Sequence, residues 1–75
     1  MRSTPPAPRR VTTLIEALAD RYADGTGATT IPLTQDDLAS LAGTSRLTVS
    51  RVLREMRQRG TVEIHRGKLI LRTAS

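Results

Sequence analysis

The 75-residue chain has no cysteine, no tryptophan, no phenylalanine, one tyrosine and one histidine. Without cysteine there is neither a disulfide framework nor a cysteine-based zinc site, which agrees with a reducing, cytoplasmic location. With Tyr22 as the sole aromatic, the stacking platforms on which single-stranded nucleic acid and RNA loops are read are missing. A single histidine and no glycine-rich loop leading into Lys-Ser/Thr leave little to build an active site from, so the chain is read as not an enzyme, with no cofactor and no metal. The adjacent pair Asp36 and Asp37 stands at the start of a helix, where the helix dipole accounts for it. No apolar run approaches membrane-spanning length, no signal-peptide core opens the chain, and no internal repeat is present. What remains is one small domain with one core, and no membrane partner.

Acidic residues are scarce in particular places. Arg2, Arg9 and Arg10 stand unopposed in residues 1–10, a balance of +3. Residues 11–43 hold Arg21 against Glu16, Asp20, Asp24, Asp36 and Asp37, a balance of −4. Residues 44–75 hold seven arginines and Lys68 against Glu55 and Glu63, a balance of +6, so that the chain totals +5. Positive charge gathered on the second half is the footprint expected of phosphate binding. An arginine-rich but otherwise ordinary surface is the alternative.

Residues 1–9, MRSTPPAPR, have three prolines and no apolar period, and read as a disordered basic, proline-rich tail. Its arginines, with Arg10, either brush phosphates or are simply solvated. The domain proper is expected over residues 10–75. A helix is predicted from Arg10 to about Asp24. Its single stripe of Val11, Leu14, Ile15, Leu18, Ala19 and Tyr22 forms the scaffold, with Tyr22 at the core edge, and Asp24-Gly25-Thr26-Gly27 ends it. Residues 29–33 read as a short strand with Ile31 and Leu33 inward, confined to an edge by Pro32.

Residues 34–60, TQDDLASLAGTSRLTVSRVLREMRQRG, carry the main signal. Thr34 with Asp37 makes a capping-box-like start for a helix over residues 35–42. Ala39 is small enough for a close crossing, and Gly43 can take the left-handed conformation that ends the helix. Ser45 then caps a second helix over residues 46–58. At about 100° per residue, Val49, Val52, Leu53 and Met56 form its core stripe. Arg46, Leu47, Ser50, Arg51, Arg54, Arg57 and Gln58 lie opposite, an arc with four arginines and no acid. Two helices joined this way make a helix-turn-helix, whose second helix enters the DNA major groove. The expected core is Leu14, Ile15, Leu18, Leu38, Leu41, Val49, Val52 and Leu53.

After Gly60, Val62 and Ile64 are followed by His65-Arg66-Gly67-Lys68 and then by Leu69, Ile70 and Leu71. This is a hairpin with Arg66-Gly67 at its tip. A hairpin after a helix-turn-helix is a wing, so the fold class is mainly α: a winged helix-turn-helix of three helices and a short antiparallel sheet. His65, Arg66 and Lys68 are either phosphate contacts or the polar residues of an ordinary turn.

The stretch TQDDLASLAGTSRLTVSRVLREMRQRG, with IPL before it and a strand–turn–strand after it, resembles the C-terminal winged-helix domain of the CRP/FNR family of bacterial transcription regulators. The likeness covers residues 10–71, and its most specific part is T-S-R-x-T-V-S-R at residues 44–51. The resemblance implies that Arg46 and Arg51 contact base edges, with Ser50 beside them. It also implies that Ser45 and Thr48 touch phosphate, and that Thr34 caps its helix close to the DNA backbone; Arg54 joins the backbone contacts. Two departures stand out. Many members carry Glu where this chain has Leu47; a Glu can accept from cytosine N4, while Leu47 either meets a thymine methyl or tucks against the wing. The family's sensor barrel and dimerisation helix have no counterpart, so ligand control and the usual pairing of half-sites do not carry over.

The expected function is sequence-specific binding of double-stranded DNA in transcription regulation, in a cytoplasmic, nucleoid-associated protein. The alternative is a winged-helix protein–protein interaction module. A docking face should show an apolar anchor cluster, and the arginine arc holds only Leu47. With its one stripe needed for the core, the chain is expected to be a monomer in free solution that pairs only on DNA. Any dimer seam would run through Val11, Leu14 and Leu18.

Overall fold

The computed structural model describes residues 5–23 and 25–72. Its elements run α1 (Ala7–Tyr22), β1 (Ala28–Ile31), α2 (Gln35–Ala42), α3 (Arg46–Gln58), β2 (Val62–His65) and β3 (Lys68–Arg72). The three strands form one antiparallel sheet in the order β1-β3-β2. This is a winged helix-turn-helix. Among the described residues no helix is long and apolar enough to cross a membrane.

The first helix starts earlier than its apolar stripe. Pro6 is the N-cap and Pro8 lies in the first turn, where a missing N–H costs nothing and the fixed φ suits a helix. The Arg10 N–H bonds to the Pro6 carbonyl at 3.1 Å. Ala7, Pro8 and Arg9, expected in the tail, therefore belong to α1; residues 1–4 of that tail lie outside the described residues. The helix ends at Tyr22, and Asp24 of the expected stop signal is likewise outside them.

Packing follows the periodicity. Val11, Ile15, Leu38, Val49 and Leu53 are buried from the helices, joined by Ile31, Val62, Leu69 and Leu71 from the sheet. Leu14, Leu18 and Met56 pack partly buried against this cluster. Pairing Ile31 with Leu69, and Leu69 with Ile64, puts apolar side chains of three strands on one face. β1 is an edge strand as expected, but it runs over Ala28–Ile31 and not to Leu33: pairing ends before Pro32, which has no N–H to give, and Leu33 packs partly buried from the connection that follows.

Leu41 corrects the expected core. It is 60% exposed. On α2 the inward direction is set by Leu38, Ala39 and Ala42, and at 100° per residue Leu41 falls roughly 100° away from their centre. Tyr22, expected at the core edge, is exposed. Val11 is fully buried, so a dimer seam through Val11, Leu14 and Leu18 would have to open the core.

Candidate nucleic-acid interface

The two helices of the motif are positioned by bonds local to the chain. At the start of α2 the capping box is complete: the Asp37 N–H donates to Thr34 Oγ1 at 3.1 Å, and the Thr34 N–H donates to Asp37 Oδ2 at 2.9 Å. The Thr34 N–H first, and then the Thr34 side chain, hold the Asp37 carboxyl below its ordinary pKa. At the far end Gly43 takes φ 68° and ψ 41°, the left-handed conformation, and the Thr44 N–H bonds back to the Ala39 carbonyl at 2.9 Å. The guanidinium of Arg10 donates to the carbonyls of Ala42 and Gly43, each at 3.1 Å, and to that of Pro5 at 2.8 Å. A cation at a helix C-terminus is favourable there, and Arg10 caps the turn rather than standing simply solvated.

α3 opens with Ser45, whose Oγ accepts from the Thr48 N–H at 3.3 Å and lies 3.2 Å from Thr48 Oγ1. Both expected backbone-contacting hydroxyls thus also form the cap. Val49, Val52 and Leu53 are buried, and the opposite arc faces outward as the spacing predicts. Arg51, Arg54 and Arg57 are exposed and, among the described residues, make no ion pair or side-chain hydrogen bond. Leu47 is 61% exposed, which rules out a leucine tucked against the wing.

Two of the expected reading residues are held by the first turn of α2. The Ser50 hydroxyl donates to Gln35 Oε1 at 2.6 Å. Arg46 Nε lies 3.8 Å from Asp36 Oδ1, both side chains largely exposed. Sequence patterns single out neither Gln35 nor Asp36 as a site residue, because contacts between helices 15 and 10 positions apart leave no periodic trace.

The wing is a two-residue loop between His65 and Lys68, with Arg66 and Gly67 at the tip and Gly67 at φ 74° supplying the turn. Glu63 organises it. Its carboxylate accepts from Arg72 Nε at 2.6 Å and from Arg72 Nη2, and His65 Nε2 lies 3.1 Å from Oε1. The hydrogen bonds from Arg72 first, and then from His65, hold the Glu63 carboxyl below its ordinary range. His65 is therefore tied to Glu63, while Arg66 and Lys68 make no such bond among the described residues. Glu63, unlike Gln35 and Asp36, does leave a signal in the sequence. A tip at Arg66-Gly67 fixes Glu63 opposite Ile70, which puts Arg72 on its diagonal.

Wing and helices meet at a cleft of about 260 Å³ lined by Thr34, Gln35, Arg46, His65, Arg66 and Lys68, among others. Five of the expected contacts thus converge, from the cap of α2, the start of α3 and the wing. Ser45, Leu47, Thr48, Ser50, Arg51 and Arg54 lie outside that cleft, along α3. Among the described residues no group of three His, Asp or Glu side chains could hold a metal ion.

Residues 9–74 match the family model of the Crp-like helix-turn-helix domain. The chain belongs to that family. Its fold is shared by solved structures, one of them of a transcriptional regulator. A variant of CprK complexed with OCPA superposes with a TM-score of 0.78 at 23% identity, over 93% of this chain and 34% of that one. CprK complexed with OCPA gives 0.75 at 24%, over 91% and 33%. A CRP/FNR-family transcriptional regulator from Thermus thermophilus, TTHA1359, gives 0.67 at 27%, over 91% and 36%. This Crp-like domain spans about a third of the length of those structures. No curated protein matches it in sequence. The resemblance read from T-S-R-x-T-V-S-R and its flanks is thus a family relationship.

Proposed function

We propose that this Crp-like domain binds double-stranded DNA with sequence preference, α3 lying in the major groove and the wing on the adjacent phosphate backbone. The observation that carries this reading is the outer arc of α3. Arg51, Arg54 and Arg57 stand exposed and unpaired among the described residues, and Glu55, the one acid of α3, pairs with none of them. A folded domain that leaves three arginines in a row without partners presents a surface suited to a polyanion.

Within it, Arg51 and Arg46 are the groups suited to guanine O6 and N7. Exposed Leu47 offers a methyl-sized contact to thymine. Arg54, Thr34, Ser45 and Thr48 serve phosphates from α2 and α3, and Arg66 and Lys68 serve them from the wing. His65 contributes less than its neighbours, being paired with Glu63. One such module covers few base pairs, so affinity comes mainly from phosphate contacts and falls steeply with salt. With Val11 inside the core, the domain is a monomer in free solution and gains strong specificity on paired half-sites about 34 Å apart.

The test is selection of binding sites from random duplex DNA, followed by titration of the selected duplex at several salt concentrations. A recovered consensus with a log K–log salt slope near −0.9 per phosphate contacted is the expected result. Recovery of no consensus, or binding indifferent to salt, overturns the reading.

A further inference from the structure

The Gln35–Ser50 bond has a directional consequence. A serine hydroxyl carries one hydrogen and two acceptor lone pairs, and a free one reads donors and acceptors alike. Here its hydrogen is directed at Gln35 Oε1, at 2.6 Å, in a half-buried position between the two helices. What Ser50 has left for a ligand is an acceptor. The main chain of Gln35 is fixed, because it is the first residue of α2, directly after the completed cap of Thr34 and Asp37. Ser50 sits between Arg46 and Arg54 on the outer arc of α3, one helical turn from each.

In the major groove, adenine N6 and cytosine N4 are donors, whereas guanine O6 and N7 and thymine O4 are acceptors. We propose that Gln35 is a specificity-determining residue that touches no base. By taking the Ser50 hydrogen it makes Ser50 an acceptor-only reader, which selects adenine or cytosine at its base position and turns away guanine and thymine. This rests on the DNA-binding reading of α3 given above.

The experiment starts from the duplex selected by the wild-type chain. Each base pair is changed in turn, and the pair at which Ser50→Ala loses discrimination is the one Ser50 reads. At that pair the wild-type chain should prefer A or C on the contacted strand by about tenfold. Gln35→Leu, which returns the hydrogen to Ser50, should reduce the preference to about twofold or less. Gln35→Glu keeps an acceptor for Ser50 and should retain the preference, while its charge weakens binding to all duplexes alike. Combining Gln35→Leu with Ser50→Ala should add nothing to Ser50→Ala, since the two share one contact. Thermal melts accompany each variant, and Gln35→Glu with Ser50→Ala decides the matter should Gln35→Leu not fold. A wild-type preference for G or T at this pair, unchanged discrimination in Gln35→Leu, lost discrimination in Gln35→Glu, or a Ser50→Ala variant that changes no pair would each overturn the proposal while leaving DNA binding by α3 intact. A wild-type chain that selects no sequence at all overturns the reading of α3 itself, and this proposal with it.

Discussion

The outer arc of α3 and the wing are both basic, yet they hold their charge differently. On α3, Arg51, Arg54 and Arg57 have no partner among the described residues, and the helix is kept in place from behind by Val49, Val52 and Leu53. On the wing, Glu63 binds Arg72 and His65, leaving Arg66 and Lys68 free at and beside the tip. A helix has an internal hydrogen-bond ladder, so its outward face can be given over to cations. A two-stranded hairpin is marginal by itself, and this one uses part of its charge to hold its own strands in register. Unpaired charge suits the helix to reading, and self-braced charge suits the wing to clamping.

Both regions stand on one core, and the largest expected effect tests that. Leu53 is fully buried, so Leu53→Ala should cost about 2–5 kcal/mol, a large share of the stability of so small a domain. α3 and wing should melt together in circular dichroism and in amide exchange. An unchanged melting point, or a wing that survives the loss of α3, would break the picture of a shared floor.

Next in size is the division of labour. Arg51→Ala should cost about 1–3 kcal/mol on the best duplex and flatten preference at one base pair. Lys68→Ala should weaken all duplexes alike and lower the salt slope by about one unit or less. Gel-shift titrations showing the reverse pattern would exchange the roles of helix and wing.

The smallest effect concerns pH. The Glu63 carboxyl titrates below its ordinary value because Arg72 and His65 favour its charged form. Its contribution to stability is therefore present above the usual glutamate range, around pH 4.3, and is lost as pH falls through the lowered value in the folded state. Asp37 behaves in the same sense at the cap of α2. Glu63→Gln should flatten part of the acid limb of a plot of melting temperature against pH and leave the part due to Asp37. An identical acid limb in the variant would show that the wing needs no ion pair.

Most of the architecture is legible in the amino-acid order alone, because it is written in local patterns. The stripe of α3, the caps at Thr34 and Ser45, the stop at Gly43 and the tip at Arg66-Gly67 each involve residues within a few positions of one another, and each stands where the spacing puts it. The misreadings have the same physical origin. Spacing from Leu38 alone turns Leu41 inward, whereas Ala39 and Ala42 swing the buried direction away from it. The apolar period begins after the prolines, although a helical first turn accommodates them. Arg10 reads as a phosphate contact or a solvated charge because its carbonyl partners lie 32 and 33 positions away. Of the interface, the exposed residues are legible. The groups that aim them, Gln35, Asp36 and Glu63, are not all so. Only Glu63 can be derived, from the hairpin register.

The strand order also bears on how the chain acquires its structure. β3 is the central strand, and β1 and β2 each pair with it and not with each other. The register joins Ala28 to Arg72 across nearly the whole domain, with α2, α3 and β2 lying between. On a ribosome, β1 emerges early and has no strand to join until β3 follows. The helix-turn-helix, with caps drawn from its own sequence, can form in the meantime. Closing the long loop between β1 and β3 carries the larger entropic cost and should come late. The last strand made is thus the one that seals Ile31 and Val62 into a single core, and a chain halted before Lys68 would present both as unsheltered edges.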